Sequence, residues 1–240
     1  MEKRLYLASG SPRRHTLLTQ AGYAFEFLAT SVDEDALTAN FSGPLSELGE
    51  YLAACKAHAA VEVLHHSGRA GVVLTADTTV LIENESLAKP ATRDEARHML
   101  ERLCGVQHTV ATGVAVADIE SDMLLLATSR TLVTMRSYSE HELQAYVATD
   151  DPLDKAGAYS IQHPQFNPVA STSGCYSGVI GLPLCLVSKM LTMVGIPLSQ
   201  VAQSHKRSDA ECWWTSQCSQ PYPTDVRVCR LTESSGQRRV

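Results

Sequence analysis

Residues 5–14 read Leu5-Tyr6-Leu7-Ala8-Ser9-Gly10-Ser11-Pro12-Arg13-Arg14. The apolar run that ends at Ala8 is typical of a β-strand, and Pro12 opens a helical pattern after a turn of small residues. Ser11 suits the N-cap of that helix, and Pro12 suits its first position because a helix leaves the N–H groups of its first turn unpaired. The junction therefore predicts free backbone N–H groups and the positive end of a helix dipole at one point.

Four polar side chains lie at the same point: Ser9, Ser11, Arg13 and Arg14. Guanidinium groups bind phosphate oxygens in a bidentate fork, and hydroxyl groups add further hydrogen bonds. The stretch therefore predicts a polyphosphate-binding turn between a strand and a helix. A capped helix with two solvated arginines is the alternative that such a short motif also allows.

Composition limits the function classes. The chain has 240 residues, of which 44% are hydrophobic, and this size suits one α/β domain or two small lobes. A formal net charge of −6 argues against a nucleic-acid partner. No run of residues is long and apolar enough to cross a membrane, and the N-terminus lacks the pattern of a signal peptide. The seven scattered cysteines indicate reduced thiols, so we expect a cytoplasmic protein without a membrane partner.

The order of the predicted elements favours an α/β fold with a mixed, twisted sheet and flanking helices. Strands and helices alternate at first, and two long strands follow at 109–116 and 124–135. Shorter strands are predicted at 23–29 and 159–162, a loop at 163–181 and a last helix at 183–194. We assign residues 1–204 to this domain. Residues 205–240, which are polar and contain Cys and Trp, form an appended C-terminal tail with a composition typical of disorder.

Asp77 is the strongest catalytic candidate. It follows the apolar run Val72–Ala76, so it is predicted at the end of a buried strand, where α/β proteins commonly bind ligands. A carboxylate there is able to hold a divalent metal ion or to accept a proton from water. The alternative is an aspartate that caps a turn, which is the commonest use of Asp after a strand.

Other polar residues provide further candidates. Asp33, Glu34 and Asp35 form an acidic turn that suits Mg²⁺, which takes one or two carboxylates together with substrate phosphates; a solvated turn is the alternative. Four residues carry a cation or an amide suited to a phosphate or a base edge, and each also fits an ordinary surface or linker position: Lys56, Lys89, Lys155 and Gln162.

A series of short motifs follows in order along the chain: Ser9–Arg14, Val32–Glu34, Lys56–Ala57, Ala76–Thr78, Lys89–Pro90, Gly105 with His108, Asp154–Tyr159 with Gln162, and Gly181–Leu184. Together they resemble the Maf family of nucleoside triphosphate pyrophosphatases over residues 3–196. The resemblance implies an α/β fold similar to that of inosine triphosphatase, with two lobes around a cleft. It also implies hydrolysis of a nucleoside triphosphate to the monophosphate and pyrophosphate, with Mg²⁺ or Mn²⁺ as cofactor. Family members are often homodimers, which the resemblance extends to this chain.

Within that family, Ala76–Thr78 followed by Asp154–Tyr159 is similar to the branch that acts on dTTP and UTP. By resemblance, Asp77 is the proton acceptor and also a metal ligand, and Glu34 is an acid near the metal. The remaining site residues divide by what they are expected to bind: Arg13, Thr78 and Gln162 the base, and Ser9, Ser11, Arg14, Lys56, Lys89 and Lys155 the triphosphate.

The chain departs from the family pattern at two points. Val106 stands where the family usually has an arginine, and His163 follows Gln162 where a glycine is common. Two other functions fit the same residues: a nucleotide-binding regulator of cell division and septum formation that needs no turnover, and a house-cleaning pyrophosphatase for modified nucleotides. Analysis of the reaction products distinguishes the regulator from an enzyme, because a regulator binds nucleotide without releasing pyrophosphate. A panel of substrates distinguishes a house-cleaning enzyme from one that acts on dTTP and UTP.

Overall fold

A computed structural model describes residues 3–197, 199 and 225–232. Its strands are β1 (Leu5–Leu7), β2 (Glu26–Phe27), β3 (Val72–Ile82), β4 (Glu85–Leu87), β5 (Gln107–Asp118), β6 (Met123–Met135), β7 (Val169–Ser173) and β8 (Arg227–Arg230). Its helices are α1 (Pro12–Gln20), α2 (Glu34–Ala39), α3 (Leu48–His66), α4 (Arg93–Leu103), α5 (Glu140–Val147), α6 (Tyr176–Ile180) and α7 (Leu184–Met193). Short 3₁₀ helices lie at Leu45–Glu47, Asp151–Asp154 and Ala156–Ala158. Within these described ranges, no helix combines the length and the apolar character needed to cross a membrane.

The strands form one mixed sheet in the order β2-β1-β3-β5-β6-β7, with β4 on β3 and β8 on β6. β1 pairs in parallel with β2 and β3, whereas the pairs from β3 onward are antiparallel. The longest ladder runs between β5 and β6, from Gln107–Thr134 to Asp118–Met123. The predicted mixed sheet and its two long strands are therefore confirmed.

Apolar residues on both faces of the sheet form the core. On one face, Leu18 of α1 and Met190 of α7 pack against β1, β3 and β5. On the other face, Ala57 and Leu64 of α3 pack against the alternate residues of the same strands. A separate cluster, built from α4, α5 and the far ends of β3, β5 and β6, lies at the other end of the long strands. The site cleft lies between these two ends of the sheet.

Two glycines allow α3 to lie close to the sheet. A Cβ on Gly113 of β5 would lie 2.2 Å from the backbone nitrogen of Glu50, and one on Gly49 would lie 3.0 Å from the carbonyl oxygen of Asp77. Helix and sheet backbones therefore touch where a side chain would hold them apart. Lys56 lies two helical turns after Gly49, so it is on the same side of α3 and points along β3 toward Asp77.

Several predictions of local structure are wrong, each because tertiary contacts outweigh local pattern. The strand predicted at 23–29 is reduced to Glu26–Phe27, and residues 159–162 turn back instead of forming a strand. The predicted loop at 163–181 contains β7 and α6. In the predicted tail, Arg227–Arg230 is a strand that pairs with Met123–Leu126 of β6, so these residues are ordered. Residues 205–224 and 233–240 of that tail lie outside the described residues.

Candidate active site

The site lies where β3 loses one neighbour. β1 pairs with β3 up to Leu7–Leu74, and β4 begins to pair with β3 at Val80. Among the described residues, those numbered 75–79 therefore have a strand partner only on the β5 side. Asp77 lies inside β3 opposite Gly113, so the prediction that it ends a strand is wrong. β1 stops pairing with β3 before Asp77, whereas β3 continues past Asp77 because it still pairs with β5.

Lys56 joins two carboxylates in the cleft. Its Nζ lies 2.7 Å from Oδ1 of Asp77 and 3.0 Å from Oε2 of Glu34. The side chains of Lys56 and Asp77 are 11% and 12% exposed, whereas that of Glu34 is 50% exposed. The pair of Lys56 and Asp77 is therefore shielded from water, which strengthens the attraction between the two charges. Glu34 lies on the solvent side of this pair.

The predicted acidic turn is the start of a short helix. Glu34 is the first residue of α2, and the carboxylate of Asp33 caps this helix by accepting a hydrogen bond from the backbone N–H of Ala36 at 2.9 Å. The cap directs Glu34 toward Lys56, while Asp33 itself is committed to α2.

Arg14 is held by three acceptors from different segments. Its Nε donates to the carbonyl of Gly181 at 2.9 Å, its Nη1 to Oγ of Ser9 at 3.2 Å, and its Nη2 to Oγ1 of Thr78 at 3.3 Å. Burial lowers the pKa of Arg14, and the nearby carboxylate of Asp77 acts in the opposite direction. A guanidinium stays charged in proteins even so, so the cleft contains a fixed cation at its inner wall.

The turn between β1 and α1 is partly closed by its own hydrogen bonds. Ser11 is the N-cap and Pro12 opens α1 as predicted, but the Ser11 hydroxyl makes no capping bond to the described helix. The backbone N–H of Ser11 donates to Oγ of Ser9 at 3.3 Å. Pro12 has no N–H and the N–H of Arg14 donates to the carbonyl of Ser11 at 3.1 Å, so among the described residues the N–H of Arg13 is the first-turn donor left for an anion at the cleft.

A second group of charges lies across the mouth of the cleft. Nη1 of Arg13 donates to Oδ2 of Asp154 at 2.9 Å, and Nζ of Lys155 donates to Oδ1 of the same carboxylate at 2.5 Å. Lys155 also bonds to Asp151, through its backbone oxygen at 2.6 Å and its Oδ1 at 3.0 Å. The Lys155 ammonium is therefore occupied by its own loop, while the Lys155 side chain still forms part of the wall.

The cleft has a volume of about 820 Å³, which is enough for a nucleotide-sized ligand. Its lining includes all eleven residues that sequence analysis selected as site residues: Ser9, Ser11, Arg13, Arg14, Glu34, Lys56, Asp77, Thr78, Lys89, Lys155 and Gln162. Lys89 and Gln162 are exposed at the rim, and Thr78 lies deeper, with its hydroxyl 3.0 Å from that of Thr112. The eleven residues therefore line one cleft, and the role of each stays a prediction.

The donor set fits a divalent cation that substrate phosphates would help to hold. The ammonium of Lys56 lies between the carboxylates of Asp77 and Glu34, so the two acids face the same part of the cleft. Within the described part of the chain, no group of three or more His, Cys, Asp or Glu residues could hold a metal ion. Mg²⁺ commonly binds through one or two carboxylates and completes its shell with substrate phosphates and water, so two carboxylates beside a row of phosphate-binding cations suffice.

Sequence analysis assigned no role to the buried groups that pack behind the cleft lining, although His108 and Tyr159 lie in its motifs. His108 is 3% exposed, and its Nε2 lies 2.8 Å from the hydroxyl of Tyr159, which lines the cleft. Burial lowers the pKa of His108 to about 4, so its ring is neutral. Tyr146 of α5 is also buried, with its hydroxyl on Asp151. A capping box of Ser139 and Glu142 begins α5, and such a sequence pattern marks a helix start but does not tell which loop a buried hydroxyl meets.

Comparison with known proteins agrees with this geometry. The model of the family described as Maf-like protein matches residues 4–194, a range that contains all eleven site residues. The chain belongs to the Maf family.

Several relatives in the Maf family carry one name, dTTP/UTP pyrophosphatase. The protein from Symbiobacterium thermophilum is 44% identical over 196 residues, which is 82% of this chain and 96% of that protein. The protein from Pelotomaculum thermopropionicum is 42% identical over 195 residues, or 80% of this chain and 97% of that protein. The protein from Geotalea uraniireducens is 40% identical over 191 residues, or 80% of this chain and 95% of that protein.

Proposed function

We propose that this protein hydrolyses dTTP and UTP to the nucleoside monophosphate and pyrophosphate. The observation that carries the proposal is the shielded pair of Asp77 and Lys56 in a cleft whose walls carry Arg13, Arg14 and Lys89. Relatives that align over nearly their whole length are named dTTP/UTP pyrophosphatases. A general base beside a row of cations is the arrangement that hydrolysis of a phosphoanhydride needs.

The chemistry at the α-phosphorus follows from the positions of the side chains. The carboxylate of Asp77 orients a water molecule and accepts its proton as the water oxygen bonds to the α-phosphorus. The bond from that phosphorus to the bridging oxygen of the β-phosphate breaks, and the electron pair leaves with pyrophosphate. Lys56 fixes the orientation of the Asp77 carboxylate through the 2.7 Å contact. Preorganised groups of this kind supply much of the catalysis in phosphoryl transfer.

The triphosphate is bound by the polar inner wall. Arg14, fixed by its three hydrogen bonds, presents a charged edge beside the uncapped start of α1. Ser9 and Ser11 add donors along the same wall, Lys89 adds a cation at the rim, and Lys155 supports the wall from its own loop. A bound Mg²⁺ or Mn²⁺, held by Asp77 and Glu34 together with phosphate oxygens, would supply charge neutralisation of the leaving pyrophosphate.

Three residues around the cleft carry the proposed selection of thymine and uracil. Gln162 at the rim offers an amide with both a donor and an acceptor, which complements the edge of a pyrimidine ring. Arg13 and Thr78 lie on the wall formed by α1 and β3. We also propose a cytoplasmic location and a homodimer.

The proposal is tested by incubating the purified protein with a panel of canonical and modified nucleoside triphosphates in the presence of Mg²⁺ or Mn²⁺. Identification of the products is the readout. Monophosphate plus pyrophosphate from dTTP and UTP, with little product from purine nucleotides, is the expected result. Binding without turnover of any nucleotide would contradict the proposal and favour a regulator. Faster turnover of modified pyrimidines than of dTTP and UTP would favour a house-cleaning role.

A further inference from the structure

Tyr146 lies behind the cleft and connects two of its walls. Its hydroxyl accepts a hydrogen bond from the backbone N–H of Ser160 at 3.0 Å and donates one to Oδ2 of Asp151 at 2.7 Å. The residue is 2% exposed. Burial, together with the hydrogen bond to Asp151, raises the pKa of Tyr146 above its ordinary value, so the hydroxyl remains a donor.

The contacts continue on both sides of Tyr146. Asp151 holds the ammonium of Lys155, Lys155 holds Asp154, and Asp154 holds the guanidinium of Arg13. On the other side, the hydroxyl of Ser160 accepts a hydrogen bond from the backbone N–H of Gln162 at 3.3 Å. One unbroken series of hydrogen bonds, which we call the Tyr146 network, therefore runs from Arg13 through Asp154, Lys155, Asp151, Tyr146 and Ser160 to Gln162.

Packing holds the centre of the Tyr146 network rigid. The ring of Tyr146 stacks on Phe166 with centroids 4.3 Å apart and an interplanar angle of 15°, and it meets His163 edge-on at 4.7 Å. A buried ring with contacts on two sides has one orientation available, so its hydroxyl stays fixed. The outer members of the network are more exposed than Tyr146, since the side chain of Asp154 is 63% exposed and Gln162 is exposed.

The Tyr146 network is separate from the reacting groups. Among the described residues, no hydrogen bond or ion pair joins its members to Asp77, Lys56 or Glu34. Both of its ends, Arg13 and Gln162, nevertheless line the cleft. Loss of the network therefore changes where the nucleotide is held and leaves the groups at the α-phosphorus in place.

We propose that Tyr146 is a positioning residue for nucleotide binding, whose hydroxyl fixes the Gln162 loop and the Arg13–Asp154 pair relative to each other before the nucleotide arrives. A wall that is already ordered loses less conformational freedom on binding, so the free energy of binding is more favourable. This inference deepens the proposed pyrimidine nucleotide function and rests on it.

Tyr146→Phe removes the hydroxyl and keeps the ring. We expect KM for dTTP and UTP to rise about fivefold, the size expected for the loss of one net hydrogen bond, with kcat changed less than about twofold. The matched control is Tyr138→Phe, because Tyr138 also contacts Phe166 and donates its hydroxyl to the backbone of Leu100, outside the network. Tyr138→Phe is expected to leave KM unchanged. Equal effects of the two variants, or a fall in kcat alone, would overturn the proposal.

A second measurement separates the Tyr146 network from the hydrolytic function. The dissociation constant of the α,β-imido analogue of UTP is measured for the wild type, Tyr146→Phe, Asp154→Asn and the double variant. Asp154 is exposed, so its substitution leaves the fold intact. We expect each single change to weaken binding and the double change to weaken it by less than the product of the two, as for members of one network. If the two substitutions acted independently, or if neither changed the dissociation constant, the proposed role of the Tyr146 network would be refuted. Binding with no turnover by the wild type would overturn only the proposed hydrolysis.

Discussion

The guanidinium of Arg227 in β8 forms an ion pair with the carboxylate of Glu50, which is buried near the start of α3. The second oxygen of Glu50 accepts a hydrogen bond from Thr128 of β6 at 2.9 Å. Arg227 lies beyond residue 194, where the match to the Maf-like family model ends. A C-terminal segment outside the family match therefore neutralises an acid on the helix that carries Lys56.

Replacing Arg227 with methionine is expected to destabilise the fold. The variant keeps much of the side-chain length but leaves Glu50, 7% exposed, without its cationic partner. Because Arg227 itself is half-exposed and Thr128 remains, we expect a loss of about 1–3 kcal/mol in the free energy of unfolding, measured in urea. Arg97→Met is the control, since the Arg97 pairs with Glu101 and Glu140 lie at the surface. A loss of stability no greater than that of the control would show that the ion pair between Arg227 and Glu50 does not stabilise the fold.

The β8 strand marks a limit of prediction from sequence. Residues 227–230 contain two arginines and little apolar alternation, so local pattern gives no strand signal. The strand forms because the Met123–Leu126 edge of β6 offers unpaired backbone groups, which lie about a hundred residues away in sequence. By contrast, β5 and β6 are long segments rich in apolar and β-branched residues on either side of a short turn, so their hairpin is predictable.

Replacing Gly113 with alanine is expected to disturb both stability and catalysis. The added Cβ would lie 2.2 Å from a backbone atom of Glu50, and a backbone cannot rotate aside as a flexible side chain can. We expect the free energy of unfolding to fall by about 3 kcal/mol, toward the upper end for overpacking. Displacement of α3 also moves Lys56 from Asp77, so kcat for dTTP falls. Gly10→Ala is the control for stability, because a Cβ there meets no atom within 4 Å; equal stabilities of the two variants would contradict the tight packing.

Removal of the carboxylate at Asp77 tests the proposed general base. Asp77→Asn keeps the shape of the side chain but removes its capacity to accept a proton, so we expect kcat for dTTP and UTP to fall about a hundredfold or more. Binding of the α,β-imido analogue of UTP is measured alongside, and it is expected to persist because Arg14 keeps its three contacts. Asp94→Asn, an acid at the start of α4 away from the cleft, is the control. Turnover by Asp77→Asn at the parental rate would refute the role.

The set of site residues was more predictable than the contacts that these residues make with one another. The eleven residues are brought together because they lie on the β1–α1 turn and the start of α1, on β3, on α2 and α3, after β4, and in the segment 155–162, and residue type and family motif were enough to select them. The partners of individual charged side chains were not predictable from sequence. Lys155 turns toward Asp151 and Asp154 instead of a ligand, and Lys56 bridges two acids. Such choices depend on distances between segments that are far apart in sequence, and spacing along one segment does not encode them.

The buried ring of His108 is expected to make stability depend on pH. Burial lowers the pKa of His108 from 6.5 to about 4, so the unfolded chain binds more protons than the folded one between these values. Stability contributed by His108 is therefore present above about pH 6.5 and is lost as the pH falls toward 4. From pH 7 to pH 5 the loss is on the order of 2 kcal/mol. Urea unfolding at both pH values is expected to show a smaller pH dependence in His108→Gln than in the wild type. His66→Gln, at the exposed end of α3, is the control, and a pH dependence unchanged in His108→Gln would assign the effect to other groups.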